Sequence, residues 1–227
     1  MKGFSSLLFD LDGTLIDSAP DVCASINRVL ETMNRPSISI VETKLLVGFG
    51  ARTLVEKTLE MTGPAGSKND IDFLLSGFLN NYRRNPCEHT VVFPGAREAL
   101  ERFLSAGIQL AICTNKPEAT CFPVLEALDL RRYFVTIICG DTLKYRKPDA
   151  RHIFHTLDDM GAALDTAAFI GDGETDIEAA NNAGMPCVLV SFGYCHVPFD
   201  RLEADALIDH FDQLDAALDG IAKKMTD

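Results

Sequence analysis

The stretch SLLFDLDGTLID, residues 6–17, runs from apolar residues straight into two carboxylates, Asp10 and Asp12. Burying or crowding unpaired carboxylates costs free energy, so a pair at the end of a strand-like run asks for a cation to hold or an electrophile to attack. Three other segments follow apolar runs in the same way: TNK (Thr114, Asn115, Lys116), RKPD (Arg146 to Asp149, with Lys147) and GDGETD (Gly171 to Asp176, with Asp172 and Asp176). Brought to one face, they offer several carboxylates, a hydroxyl, an amide and a lysine. Such a cluster would repel itself without a hard cation, and oxygen donors alone suit Mg2+ better than zinc. Mg2+ beside a lysine and a hydroxyl makes an environment for phosphate. One carboxylate could attack phosphorus, and a second two residues on could protonate the leaving oxygen and then deprotonate water. Lysine and hydroxyl would stabilise and orient the equatorial oxygens.

Structural roles compete for the same residues. Asp10 and Asp12 could be turn or helix-cap carboxylates, and Thr114 and Asn115 could cap a helix that Pro117 begins. Both roles can hold at once, because a helix N-terminus is itself an anion site. Asp176 is also well placed to start the helix IEAANNAG, and Lys144 competes with Lys147 for the phosphate.

The elements that must position these groups are legible in the hydrophobic pattern. The runs IQLAICT, FVTIICG, AAFIGD and PCVLVSF are short, rich in β-branched residues and not alternating with polar ones, as suits parallel strands covered on both faces. Helices separate them, and residues 211–225 read as a closing amphipathic helix. The prediction is a doubly wound, Rossmann-like α/β sheet with its ligands beyond the carboxyl ends of the strands. Between the first strand and this alternation, residues 16–89 look wholly helical, with apolar residues at helical spacing from Val22 to Met33 and from Ile71 to Tyr82, and ARTLVEKTLEM between them. The expected division is an α/β core of residues 1–15 and 90–227 and a helical insertion of residues 16–89.

Composition narrows the classes of partner. A chain of 227 residues, 47% hydrophobic, can bury a large core, and its net charge of −12 argues against binding nucleic acid or an anionic membrane surface. No apolar run spans a bilayer and no signal-type N-terminus is seen, so a cytoplasmic location is expected. The seven cysteines form no C-x-x-C pair and read as buried hydrophobes. His152 and His155 share a face of what reads as a solvated helix and are expected to bind no metal, while His89, His196 and His210 have no evident partners. Oligomeric state is not legible.

DLDGTLIDS, TNK, KP and GDGETD, in this order and each after a strand, resemble the four motifs of the haloacid dehalogenase-like superfamily of phosphatases. The helical insertion resembles that superfamily's cap placed after the first motif, and VGFGARTLVEKTL within it is similar to the bacterial phosphoglycolate phosphatases. The resemblance implies that Asp10 is the nucleophile and Asp12 the general acid and base. It implies Mg2+ ligation by Asp10, the backbone carbonyl of Asp12, and Asp172, with Asp176 supporting the metal. Thr114, Asn115 and Lys147 would bind the phosphoryl group. Gly173, where Ser or Thr is common, and Ala150, where a second proline often stands, depart from the pattern without removing a charge.

Selectivity would come from the cap closing over the leaving group. In VGFGAR the glycines permit a close approach, and the following helix N-terminus with Arg52 offers a site for a second anion, unless Arg52 is an ordinary surface residue. The reading is a Mg2+-dependent phosphomonoester hydrolase acting on a small phosphorylated metabolite such as 2-phosphoglycolate. Sugar-phosphate phosphatase and β-phosphoglucomutase-type phosphotransferase are the alternatives. A dehalogenase would need neither Asp12 nor Mg2+, and a non-catalytic phosphate-binding protein is disfavoured by the filled catalytic positions.

Overall fold

The computed structural model describes residues 3–195 and 197–226, and His196 lies outside the described residues. The chain enters β1 (Ser6–Phe9), crosses a short β2 (Ile16–Asp17) and passes through α1 (Ala19–Thr32), α2 (Ile40–Lys44), α3 (Ala51–Met61) and α4 (Lys68–Arg84) before β3 (Val91–Val92). Strands and helices then alternate: α5 (Ala96–Ser105), β4 (Gln109–Cys113), α6 (Glu118–Ala127), β5 (Thr136–Ile138), α7 (Ala150–Met160), β6 (Ala167–Gly171), α8 (Glu174–Ala183), β7 (Cys187–Val190), β8 (Ala206–Ile208) and α9 (Leu214–Thr226).

Six strands form one sheet in the order β5-β4-β1-β6-β7-β8, and all their pairings are parallel. Side chains alternate across a strand, so a strand covered on both faces feeds two cores. Leu7 and Phe9 of β1, Leu110 and Ile112 of β4, and Ala168 and Ile170 of β6 point to one core, shared with α5, α6, α9 and the helical insert. Leu8, Ala111, Cys113 and Phe169 point to the other, closed by α7 and α8. This two-sided burial is why the four runs after the insertion carried no polar alternation. The carboxyl ends of β1, β4 and β6 lie side by side in register and set Asp10, Thr114 and Asp172 along one edge.

The insertion after the first strand is helical, as expected, but not throughout. Ile16 and Asp17 pair antiparallel with Val92 and Val91, so a two-stranded ribbon closes the base of α1–α4. Strands of two residues have no period to detect. The short α2 falls within the stretch read as helical; a capping box starts it, with Ser39 Oγ accepting from the Glu42 amide and the Glu42 carboxylate accepting from the Ser39 amide. The edge strand β8 was missed because only Ile208 of its three residues is buried, so no extended apolar run marks it.

His152 corrects the picture of a solvated helix face: it is fully buried in α7 and its Nε2 lies 3.2 Å from the Cys139 carbonyl. His89 donates its amide to Asp21, and His210 Nδ1 accepts from the Asp212 amide. The seven cysteines are free, five of them buried. Among the described residues no helix is long and apolar enough to cross a membrane.

Candidate active site

Directly after β1 comes Asp10, whose amide continues the ladder to Ile170 of β6, and the chain then turns at Gly13. Gly13 has φ +87, and a Cβ there would sit 2.2 Å from Asp172 Oδ2, so both backbone conformation and space exclude a side chain. This close approach lets the first loop meet the loop after β6. Asp172 is held from two sides: Oδ1 accepts from Thr14 Oγ1 at 3.0 Å and Oδ2 from the Tyr194 amide at 2.6 Å. Asp176, in the first turn of α8, accepts through Oδ2 from the amides of Asp172 and Gly173 at 3.0 and 3.2 Å. It therefore opens the helix and joins the acidic cluster.

Asp10, Asp172 and Asp176 are all buried, and each offers an oxygen within 4.8 Å of the others. Lys147 reaches into this group from the loop after β5, with Nζ 2.9 Å from Asp10 Oδ1 and 2.6 Å from Asp176 Oδ1. Lys144, its competitor in the sequence, is exposed. Burial opposes the ammonium charge of Lys147, but Asp10 and Asp176 outweigh it and hold its pKa above the ordinary value. One lysine does not balance three carboxylates. Burial pushes the Asp10 carboxyl up although Lys147 pulls it down, and Asp172 is driven well above the usual carboxylate range by burial and by its neighbours Asp176 and Asp10. A divalent cation fits this shortfall: the donors are oxygens, they are gathered, and they lack positive charge.

Asp12 faces away from that cluster. Ser18 Oγ donates to its Oδ1 at 2.5 Å, and Lys116 Nζ lies 2.9 Å from both carboxylate oxygens. Lys116 also donates to Tyr82 Oη of α4 at 3.2 Å and stands 4.6 Å from the centre of that ring. Thr114 Oγ1 accepts from the Lys116 amide. Asn115 spends its side-chain amide on two carbonyls, Lys147 at 2.9 Å and Gly48 of the insert at 2.8 Å, and so ties the insert to the core. Tyr194 makes a second tie, donating to Asp17 Oδ1 and accepting from the Ala19 amide.

A cleft of about 450 Å³, its open mouth included, lies between core and insert and is lined by Asp10, Asp12, Thr114, Asn115 and Lys116 below and by apolar side chains above. A second recess beside it holds Asp10, Asp12, Asp172 and Asp176. The structure thus brings together Asp10, Asp12, Thr114, Asn115, Lys147, Asp172 and Asp176. Arg52 is the exception. Its guanidinium pairs with Glu56 at 3.1 Å and Asp72 at 3.2 Å, is half exposed, and is absent from the cleft lining. The next residues of a helix turn away by about 100° each, so Ala51 lines the cleft and Arg52 does not. Sequence reasoning missed Lys116, Thr14, Ser18, Tyr82 and Tyr194 as neighbours of the carboxylates. Lys116 stood inside a quoted motif, but Tyr82 reads only as a core position and Tyr194 carries no local signal.

A profile of haloacid dehalogenase-like hydrolases matches residues 7–190. The chain belongs to this family. It is 41% identical over 211 residues to the phosphoglycolate phosphatase of Agrobacterium fabrum, covering 93% of this chain and 91% of the relative. It is 40% identical over 212 residues to that of Mesorhizobium japonicum, covering 93% of each. Among solved structures, a predicted phosphoglycolate phosphatase from Haemophilus somnus superposes with a TM-score of 0.90 at 28% identity, covering 95% of this chain and 98% of that one. The chain is therefore a haloacid dehalogenase-like hydrolase, homologous over nearly its full length to bacterial phosphoglycolate phosphatases.

Proposed function

We propose that this protein hydrolyses small phosphate monoesters, 2-phosphoglycolate first among them, by transient phosphorylation of Asp10. The observation that carries the proposal is the division of labour around one strand end: Asp10 sits in the group with Asp172, Asp176 and Lys147, while Asp12, two residues on, is held by Ser18 and Lys116 at the floor of the cleft. Asp10 and Asp172, with the backbone carbonyl of Asp12, would hold Mg2+, and Asp176 would support them. When bound, that ion would neutralise charge on the phosphoryl oxygens and on the carboxylates around it.

In the first half-reaction a carboxylate oxygen of Asp10 forms a bond to phosphorus as the bond to the ester oxygen breaks. Asp12 gives that oxygen its proton, and the alcohol leaves. In the second half, Asp12 takes a proton from water as the water oxygen attacks phosphorus, releasing phosphate and restoring the Asp10 carboxylate. Lys147 and Thr114 stabilise the charge that builds on the phosphoryl group. The relatives' activity points to the same substrate class. Asp10→Asn should abolish turnover with folding intact, and kcat/KM measured across small monoesters with Mg2+ should rank 2-phosphoglycolate above sugar phosphates. Turnover that survives in Asp10→Asn sinks the nucleophile assignment, and a preference for uncharged sugar esters sinks the substrate.

A further inference from the structure

The reading of the substrate as a small phosphorylated carboxylate leaves its second anion without the cationic side chain expected for it once Arg52 is seen to pair with Glu56 and Asp72. Among the described residues that line the cleft, Lys116 is the one cationic side chain. The insert contributes mainly apolar side chains, Leu46, Leu54 and Phe78 among them, and the core contributes the two carboxylates Asp10 and Asp12 beside neutral polar residues such as Asn115. A leaving group bearing a carboxylate would be repelled by the two carboxylates of the floor, and Lys116 is the positive charge in the lining that can offset them.

We propose that Lys116 is the specificity-determining residue, binding the carboxylate of the leaving group at the seam between core and insert. Its side chain is only 4% exposed, and it is fixed from both sides, by Asp12 of the core and by Tyr82 of α4 in the insert. An ammonium has three donors, and Lys116 now spends them on two Asp12 oxygens and the Tyr82 hydroxyl. A substrate carboxylate therefore takes over one existing contact. If that contact is to Asp12, the exchange turns one oxygen of the acid and base toward the leaving group. Recognition of the second anion and release of Asp12 then become one event, which an uncharged ester cannot trigger.

The inference rests on the proposed function, and the test separates the two. kcat/KM is measured with Mg2+ for 2-phosphoglycolate and for 2-hydroxyethyl phosphate, which has the same length with the carboxylate replaced by an uncharged hydroxymethyl group. The enzymes are the wild type, Lys116→Met and Lys116→Gln, the last keeping a donor beside Asp12 to guard the fold. Inhibition by glycolate and by inorganic phosphate is measured alongside. The wild type should prefer the carboxylate ester, and both variants should lose on the order of 100-fold of that preference, the size of a lost charge-assisted hydrogen bond. Glycolate should cease to inhibit while inorganic phosphate still does, which also reports a folded site. Equal losses on both esters, with the preference intact, would overturn the inference alone and leave Lys116 acting only through Asp12. A wild type without preference for the carboxylate ester overturns the substrate reading and the inference with it.

Discussion

Replacing Lys147 by Met tests the electrostatic account of the site most directly. The ammonium is 1% exposed and lies 2.9 and 2.6 Å from Asp10 and Asp176, whose side chains are 8% and 2% exposed. Methionine fills much of the same volume and removes the charge, leaving Asp10, Asp172 and Asp176 facing one another without a positive charge among them. Breaking a buried pair by removing one partner costs about 3–5 kcal/mol. For a chain of this size that is a fall in melting temperature of about 6–20 °C. The sign of the pH dependence follows from the carboxylates. Asp10 and Asp172 already titrate above their ordinary range through burial, and Lys147 is what pulls Asp10 down. Without it the folded state binds protons still more readily than the unfolded chain, so stability rises as pH falls. The deficit of Lys147→Met should be largest at pH 8 and shrink by pH 5, and saturating Mg2+ should restore part of it at pH 8. Thermal denaturation in EDTA at the two pH values, then with Mg2+, reads all three effects. A variant melting within about 2 °C of wild type at pH 8 in EDTA would refute the claim that this lysine holds the cluster together.

Mg2+ should raise the melting temperature of the wild type, by about 2.7 kcal/mol of added stability at a hundred times its dissociation constant, and the gain should vanish in Asp172→Asn; an equal gain in both would remove Asp172 from the ligand set. His152 is buried, and burial followed by the Lys147 charge lowers its pKa from 6.5 to about 4. The folded state therefore binds this proton less readily than the unfolded chain, and roughly 3 kcal/mol present above pH 6.5 should be lost as pH falls towards 4. Denaturant titrations of His152→Asn should lack that component, and parallel pH curves for the two proteins would argue against it. Gly13→Ala should cost about 1–3 kcal/mol and most of the activity, because φ +87 and the Asp172 carboxylate both oppose a Cβ; near-wild-type kinetics would show that the loop yields. Arg52→Ala should leave kcat/KM for 2-phosphoglycolate nearly unchanged, since Arg52 is spent on Glu56 and Asp72, and a large loss would mean that the insert turns it inward during turnover.

The sheet was legible because a strand buried on both faces leaves a continuous apolar run, and three of those runs end at residues that matter: Asp10, Thr114 and Asp172 follow β1, β4 and β6 directly. The α3 boundaries were equally plain in ARTLVEKTLEM, where helical spacing runs unbroken from Ala51 to Met61. The ribbon of Ile16–Asp17 with Val91–Val92 was not, because its pairing joins residues some 75 apart and neither strand is long enough to show a period.

Local chemistry along the chain settled which strand ends carry carboxylates and that these could meet one cation, since the positions of strand ends follow from short-range patterning. Tertiary structure alone decided which charge meets which. Lys147 and Lys116 look alike in sequence, yet one enters the cluster of Asp10 and Asp176 and the other grips Asp12 and Tyr82. Arg52 and Ala51 are neighbours, yet a single step around α3 separates solvent from cleft. Those pairings depend on how the insert docks on the core, a sum of long-range contacts that no window of sequence contains.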